Sequence, residues 1–343
     1  MRTPTLHDVA HLAGVSYATA DRVLNRRGNV AEKSVRKVED AVHQLGYVRD
    51  IAAANLSRKR RQRLAFVLPR RSHPFFGRMH EQLTRALPHL RTARVEIDIV
   101  DFEAFDAASL EAAISGLADR GYHGIAVAGH GRAATQMLKA MREAGTRIVS
   151  LVSDRPEESR DHYIGIDNVK AGRTVARLVG MAHAGQTGRV VLAAGSMGAS
   201  DHADRIAGFR DVMARDFPSI AISDVIETRD RSDLMHTRLR EALTEVDATA
   251  IYNVGAGNEG LIEVARTAEG RRPFTVVHEL SAPCREALEE GTVDVAIDQR
   301  PEIETSRAIA WLRAVVDDLP PPPAPELIPA IYVRDNLPDD SLL

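Results

Sequence analysis

Hydrophobic residues recur at two different periods along this chain, and the change of period divides it. Through residues 5–45 they fall three and four apart. Leu6, Val9, Ala10 and Ala13 share one helical face, with Thr5 placed to cap the helix and Asp8 three positions on to complete a capping box. Gly14 stops this helix, Val15 re-enters the core, and Ser16 caps a second helix, Tyr17 to Leu24, whose Ala20, Val23 and Leu24 face inward. A third amphipathic stretch runs from about Glu32 to Leu45 and stops at Gly46. Helix, short glycine turn, helix is the helix-turn-helix pattern, whose second helix lies in a DNA major groove. Tyr17, Ala18 and Arg22 then point outward, and Arg22 has the reach to read guanine.

From Leu64 the pattern changes. Apolar runs LAFVLP, VEIDIVDF, GIAVAG, RIVSLVS, YIGID, RVVLAAG, AISDVIE, ATAIYNV, FTVVHE and VDVAID alternate with helical stretches. Such alternation predicts parallel sheet with helices on both faces, and ten strands are too many for one simple sheet. The expected fold class is a small all-α helix-turn-helix head plus an α/β body of two doubly wound lobes. The expected boundaries are a head at 1–49, a hinge and basic linker at 50–63, and a body at 64–343. Within the body, lobe 1 covers about 64–164 with 294–325, and lobe 2 about 165–293 with the C-terminal segment.

Charge sharpens this division. Residues 1–63 hold 13 Lys/Arg against 6 Asp/Glu, whereas the whole 343-residue chain has a formal net charge of −3. A basic head on an acidic body suggests a polyanion partner for the head alone. A single cysteine, Cys284, excludes an internal disulfide and a cysteine zinc cage, and the 13 histidines show no metal-binding spacing. No apolar run approaches the ~18 residues of a membrane span, and the N-terminus lacks the apolar segment of a secretory signal, so a cytoplasmic location without membrane contact is expected.

Ligands of open α/β sheets sit beyond the carboxyl ends of strands. Those ends carry the loop Ser72-His73-Pro74-Phe75-Phe76, then Asp154-Arg155, Arg205, Asn253, Glu279 and Gln299. Carboxylates and arginine forks hold vicinal hydroxyls, and ring faces cover the apolar face of a sugar. Gly255-Ala-Gly257-Asn-Glu-Gly260 also fits the dinucleotide-binding pattern, with Glu279 beyond it, which leaves an NAD-binding enzyme as an alternative. A secreted sugar-binding protein is the other alternative, although it would carry a signal peptide and no helix-turn-helix.

LHDVAHLAGVSYATADRVLN followed by LGYVRDIAAANL resembles the head of the lactose-repressor (LacI/GalR) family over residues 5 to about 60. Ala18, Asp21 and Ala31 depart from the family's usual residues. The resemblance implies a DNA-facing set of Thr5, Ser16, Tyr17, Ala18, Thr19, Arg22, Asn25 and Tyr47. It further implies a hinge helix whose Leu56, beside Ala53, wedges into the minor groove, with Arg58, Lys59, Arg60 and Arg61 against phosphates. HPFF, SDR with IGIDNVKAG, DRIAGFRD and EGTVDVAIDQRP resemble the ribose-type periplasmic sugar-binding fold that these regulators use. That resemblance places Phe75, Phe76, Asp154, Arg155, Arg205, Asn253, Glu279 and Gln299 at the ligand. The implied protein is a homodimeric transcription repressor with no catalytic residue, cofactor or metal. It binds a pseudopalindromic double-stranded operator and answers to a small sugar or polyol effector.

Overall fold

The computed structural model describes residues 4–24, 28, 30–45, 47, 61–267, 270 and 272–339. The chain falls into two compact units, a head that ends at Arg61 and a body that begins at Gln62. Asn25, Ala53, Leu56 and Arg58 to Arg60 lie outside the described residues.

The head contains α1 (Leu6–Ala13), α2 (Tyr17–Leu24) and α3 (Glu32–Leu45). The capping box is formed: the Thr5 amide donates to Asp8 Oδ2 at 2.7 Å, and the Asp8 amide to Thr5 Oγ1 at 3.4 Å. Gly14 takes the left-handed backbone, φ 61°, that ends α1 and turns the chain into α2. Ser16 Oγ accepts from the Thr19 amide at 3.1 Å. The core joins Val9, Ala10, Ala13, Ala20, Val38 and Ala41. These are mostly small side chains, which limits what such a unit can bury.

The body's first sheet has the order β2-β1-β3-β4-β5, all parallel, from β1 (Gln62–Pro69), β2 (Val95–Phe102), β3 (Gly124–Val127), β4 (Arg147–Leu151) and β5 (His162–Ile164). Leu64 to Leu68 are wholly buried, because helices cover both faces of a parallel sheet and no residue alternates outward. Its helices include α4 (Pro74–Thr92), α5 (Ala107–Ser115) and α6 (Arg132–Glu143).

The second sheet has the order β11-β10-β9-β8-β6-β7, from β6 (Gly188–Ala194), β7 (Ile220–Glu227), β8 (Ala250–Asn253), β9 (Phe274–His278), β10 (Val295–Asp298) and β11 (Ala330–Tyr332). Its helices are α7 (Asn168–His183), α8 (Ser200–Asp216), α9 (Ser232–Glu245), α10 (Asn258–Thr267) and α11 (Ala282–Glu290). A final helix, α12 (Pro301–Val316), returns to pack on β1, β3, β4 and β5.

The sequence placed the return to lobe 1 at about residue 294. The chain instead pairs Val295 to Ile297 with β9 and crosses back only after Asp298. The reason is register: β10 continues the parallel order of the second sheet, and only its following helix belongs to the first. β11 was missed, being three residues long, antiparallel and at an edge, where no face is buried enough to impose a pattern.

Helices α7 and α8 cross backbone to backbone. A Cβ on Gly172 would lie 1.9 Å from the Arg205 carbonyl oxygen, and one on Gly208 would lie 2.1 Å from that of Val169. This reciprocal contact brings Arg205 beside Asn168 at the start of α7. Gly172→Ala therefore has to separate the helices. We expect a loss of about 1–3 kcal/mol of stability, as for an overpacked core, measured by denaturant melting. A variant as stable as the parent would show that the crossing is loose.

Candidate functional site

The loops after β1, β2, β3 and β4 face those after β6, β7, β8, β9 and β10 across a cavity of about 250 Å3. Of the sequence-expected residues, the structure brings together Phe75, Phe76, Arg205, Glu279 and Gln299. Phe75 and Phe76 begin α4 and meet edge to face, their centroids 4.9 Å apart. Arg205 projects from α8, 2% exposed, and donates from Nε to Asn168 Oδ1 at 2.9 Å and from Nη1 to the Val254 carbonyl at 2.7 Å. Gln299 donates to Glu279 Oε1 at 2.7 Å. Glu279 has a left-handed backbone, φ 72°, which turns the chain sharply at the end of β9 and presents its carboxyl to the cavity.

Three expected residues are not at this cavity. The Asp154 carboxylate is half-exposed and held by the Arg160 guanidinium and its neighbour's amide, Arg155 N, at 2.7 Å. Arg155 is buried against the Gly129 carbonyl, and burial lowers its pKa to about 10. Asn253 uses its amide within its own loop, donating to the Gly255 and Ala256 carbonyls and to Asn258 Oδ1. It shapes the loop after β8 rather than touching the cavity.

Other lining residues were not singled out from sequence: Phe102, Phe105, His130, Asp201, His202, Asp230 and His278. His73, in the loop singled out from sequence, also lines the cavity. Asp201 sits one turn before Arg205 on α8, so helical spacing could have found it. Asp230 has no sequence signal. It stands in a turn where both Arg229 and Asp230 are left-handed, φ 52° and 57°. Glycines make room for it: a Cβ on Gly195 or Gly255 would approach Asp230 Oδ1 to 2.3 or 2.4 Å. The glycine-rich stretch that fitted a dinucleotide site thus has another role here. Gly255 clears space for Asp230, and Gly260 lets α10 approach Ser232 of α9, where a Cβ would meet the carbonyl at 1.9 Å.

Among the described residues, side chains tie the lobes across the cavity. His73 Nε2 meets Asp230 Oδ2 at 3.0 Å, Ser153 donates to Asp201 Oδ1 at 2.7 Å, and His130 Nε2 meets Ser200 Oγ at 2.8 Å. Arg78 of α4 adds ion pairs across to Asp298 at 2.6 Å and to Glu279 Oε2 at 3.6 Å, and pairs within its own lobe with Glu302 at 2.8 Å. Burial opposes charge on Asp201, but His202, Arg205 and the Ser153 hydroxyl outweigh it and hold its pKa at about 2. Burial, then Arg205, keeps His278 well below the usual imidazole value, and burial, then Arg155, lowers His130. Both imidazoles are neutral.

Five buried polar atoms on lining residues have no hydrogen-bond partner among the described residues: His73 Nδ1, Arg205 Nη2, His278 Nδ1, Glu279 Oε2 and Gln299 Oε1. Each such atom costs about 1–3 kcal/mol when left unsatisfied. Converging on one cavity, they form a receptor for a small molecule rich in hydrogen-bonding groups.

Burial, with Asp298 nearby, pushes the Glu279 carboxyl from 4.5 up to about 8. The folded protein therefore keeps this proton where the unfolded chain has released it. Stability from this group is full below the unfolded value and falls as pH rises towards the folded one. We expect the unliganded protein to lose up to about 1.4 kcal/mol per pH unit relative to Glu279→Gln across that window. Denaturant melts of both proteins at matched pH check this, and parallel curves would refute it.

Residues 5–50 match the bacterial regulatory proteins of the lacI family, and residues 64–319 match the periplasmic binding protein domain family. The chain is 27% identical over 281 residues to the HTH-type transcriptional regulator DegA of Bacillus subtilis, spanning 81% of this chain and 80% of that protein. It is 41% identical over 78 residues to the sucrose operon repressor of Streptococcus mutans, which is 23% of this chain and 24% of that repressor. Among solved structures, an ABC transporter solute binding protein from Burkholderia graminis, in complex with D-arabinose, superposes with a TM-score of 0.72 at 23% identity. The match covers 80% of this chain and 96% of that one. The Caulobacter myo-inositol binding protein, bound to myo-inositol, gives 0.72 at 18% identity over 79% of this chain and 93% of that one. These structures share the two-lobed fold. With a helix-turn-helix ahead of a periplasmic-binding-protein-like body, the chain belongs to the lacI family of bacterial regulatory proteins.

Proposed function

We propose that this protein represses genes of carbohydrate or polyol catabolism or transport, and that a small sugar-like effector bound between the lobes changes its affinity for operator DNA. The observation that carries the effector half is the set of five buried polar atoms around one small cavity that have no hydrogen-bond partner among the described residues. A monosaccharide or cyclic polyol offers hydroxyls that can both donate and accept to such a set. The arabinose and myo-inositol complexes of proteins with this fold support the same class.

The head supports the DNA half. Tyr17, Ala18 and Arg22 lie on the exposed face of α2. Ser16 and Thr19 bond to each other at 2.8 Å at its start. The Tyr17 ring rests on His7, with centroids 4.5 Å apart. Thr5 is engaged in the α1 cap, and Tyr47 packs against the head's core, so we assign these two to positioning the helices as well as to the phosphate side. The reading includes a homodimer on a two-fold operator, working inside the cell, with no catalytic step. Effector closure acts through the chain that enters the body at β1.

Arg22→Ala should lose at least about 1 kcal/mol of discrimination between cognate and scrambled operator, read by fluorescence anisotropy. An unchanged ratio would remove α2 from the base edges. Arg205→Ala should weaken effector binding at least about tenfold, because Glu279 and Gln299 would face the ligand without their cationic neighbour. Its operator affinity without effector should match the parent's. Calorimetry and gel-shift titration test both halves, and a variant that still responds at the parental effector concentration would move the sensor site elsewhere.

A further inference from the structure

Tyr252 of β8 is wholly buried in the core of lobe 2, in one cluster with Val276, Val295, Ile297 and Phe209, all of them apolar. The ring of Phe209, on α8, lies 5.1 Å away between centroids. A phenylalanine would fill this space, whereas a buried hydroxyl is costly unless it finds a hydrogen-bond partner. The partner is His278 at the end of β9, whose Nε2 lies 2.9 Å from the Tyr252 oxygen. Register makes this contact. Tyr252 pairs with Val276, and His278 stands two residues further on, on the same face of the sheet.

His278 lines the cavity, and its other ring nitrogen, Nδ1, is buried with no partner among the described residues. Its backbone is fixed as well, because Asn258 Nδ2 donates to the His278 carbonyl at 2.8 Å. Burial, then Arg205 and His202, keep the imidazole neutral, so one nitrogen carries a proton and the other is bare. Burial also pushes the Tyr252 phenol up, so it keeps its own proton. Among the described residues that proton meets one acceptor, His278 Nε2. Were Nε2 protonated, it would donate to the phenol oxygen and strand the phenol proton in an apolar core, an unfavourable arrangement. With Tyr252 as donor, Nε2 is bare and Nδ1 carries the proton.

We propose that Tyr252 is a positioning residue for effector recognition: its hydroxyl donates to His278 Nε2, which fixes the imidazole in the form protonated on Nδ1 and makes His278 a donor that an effector oxygen has to accept. This rests on the reading of the cleft as the effector site. Tyr252 itself stands behind the cavity wall and touches no ligand. It acts by removing the freedom of His278 to present either a lone pair or a proton. A buried imidazole free to switch would accept from a hydroxyl as readily as donate to it; one held by Tyr252 selects for an oxygen with a free lone pair.

Two measurements on the full-length protein test this. Nitrogen-15 NMR of the imidazoles reads the tautomer without any ligand, and His278→Gln identifies the His278 signals among the 13 histidines by their loss. The parent should show Nδ1 protonated and Nε2 bare, and Tyr252→Phe, which keeps the ring and the packing, should give a mixture of tautomers. Calorimetry with D-arabinose, D-ribose, D-galactose and myo-inositol then reads binding. For the probe that the parent binds most tightly, Tyr252→Phe should weaken binding about fivefold, the equivalent of one neutral hydrogen bond, and His278→Gln at least as much. A bare Nδ1 in the parent, or a Tyr252→Phe variant that keeps either the parental tautomer or the parental affinity, would overturn the positioning role and leave the sugar sensor standing. Binding of none of the four probes would overturn both.

Discussion

The body is organised around a buried cation. Arg205 is 2% exposed, and its two hydrogen-bond partners, the Asn168 amide and the Val254 carbonyl, are neutral. Burying a guanidinium is unfavourable unless its donors are met and the surrounding structure is fixed. Both conditions come from elsewhere in lobe 2. The glycine contacts between α7 and α8 set the distance from Arg205 to Asn168, and the loop after β8, tied by Asn253, aims the Val254 carbonyl. With two donors satisfied, the third nitrogen is left for the cavity. The field of this cation also helps keep Asp201 ionised and His278 neutral.

Lobe 1 contributes aromatic lining together with the contacts that close the cleft. Its ties to lobe 2 run through His73 to the turn after β7, Ser153 and His130 to the start of α8, and Arg78 to the end of β10. Because these bonds are spread around the rim, opening the cleft breaks several polar contacts together, which favours two discrete arrangements over a continuum. A ligand that contacts both lobes acts on that equilibrium through its differential affinity for the closed form. The strained backbones at Phe105, Asp230 and Glu279 all border this cavity. They show where packing overrides local preference so that a side chain can stand at the site.

Much of this was legible in the sequence because it depends on neighbours along the chain. The capping box at Thr5 and Asp8, the turn at Gly14, the helical face of the head and the strands β1 to β10 follow from local periodicity, turn chemistry and residue volume. Strand ends also located Phe75, Phe76, Arg205, Glu279 and Gln299, since a doubly wound fold gathers those ends on one side. The tertiary structure decided the rest. Asp154 stands at a strand end yet is held by Arg160, Arg155 beside it is buried with one nitrogen on the Gly129 carbonyl, and Asn253 is drawn into its own loop. Asp230, in a turn with no sequence signal, reaches the cavity through left-handed backbone and the space beside Gly195 and Gly255. Periodicity specifies which face of an element is buried; which polar groups find partners across a cleft depends on distances between segments far apart in the chain, and only packing sets those.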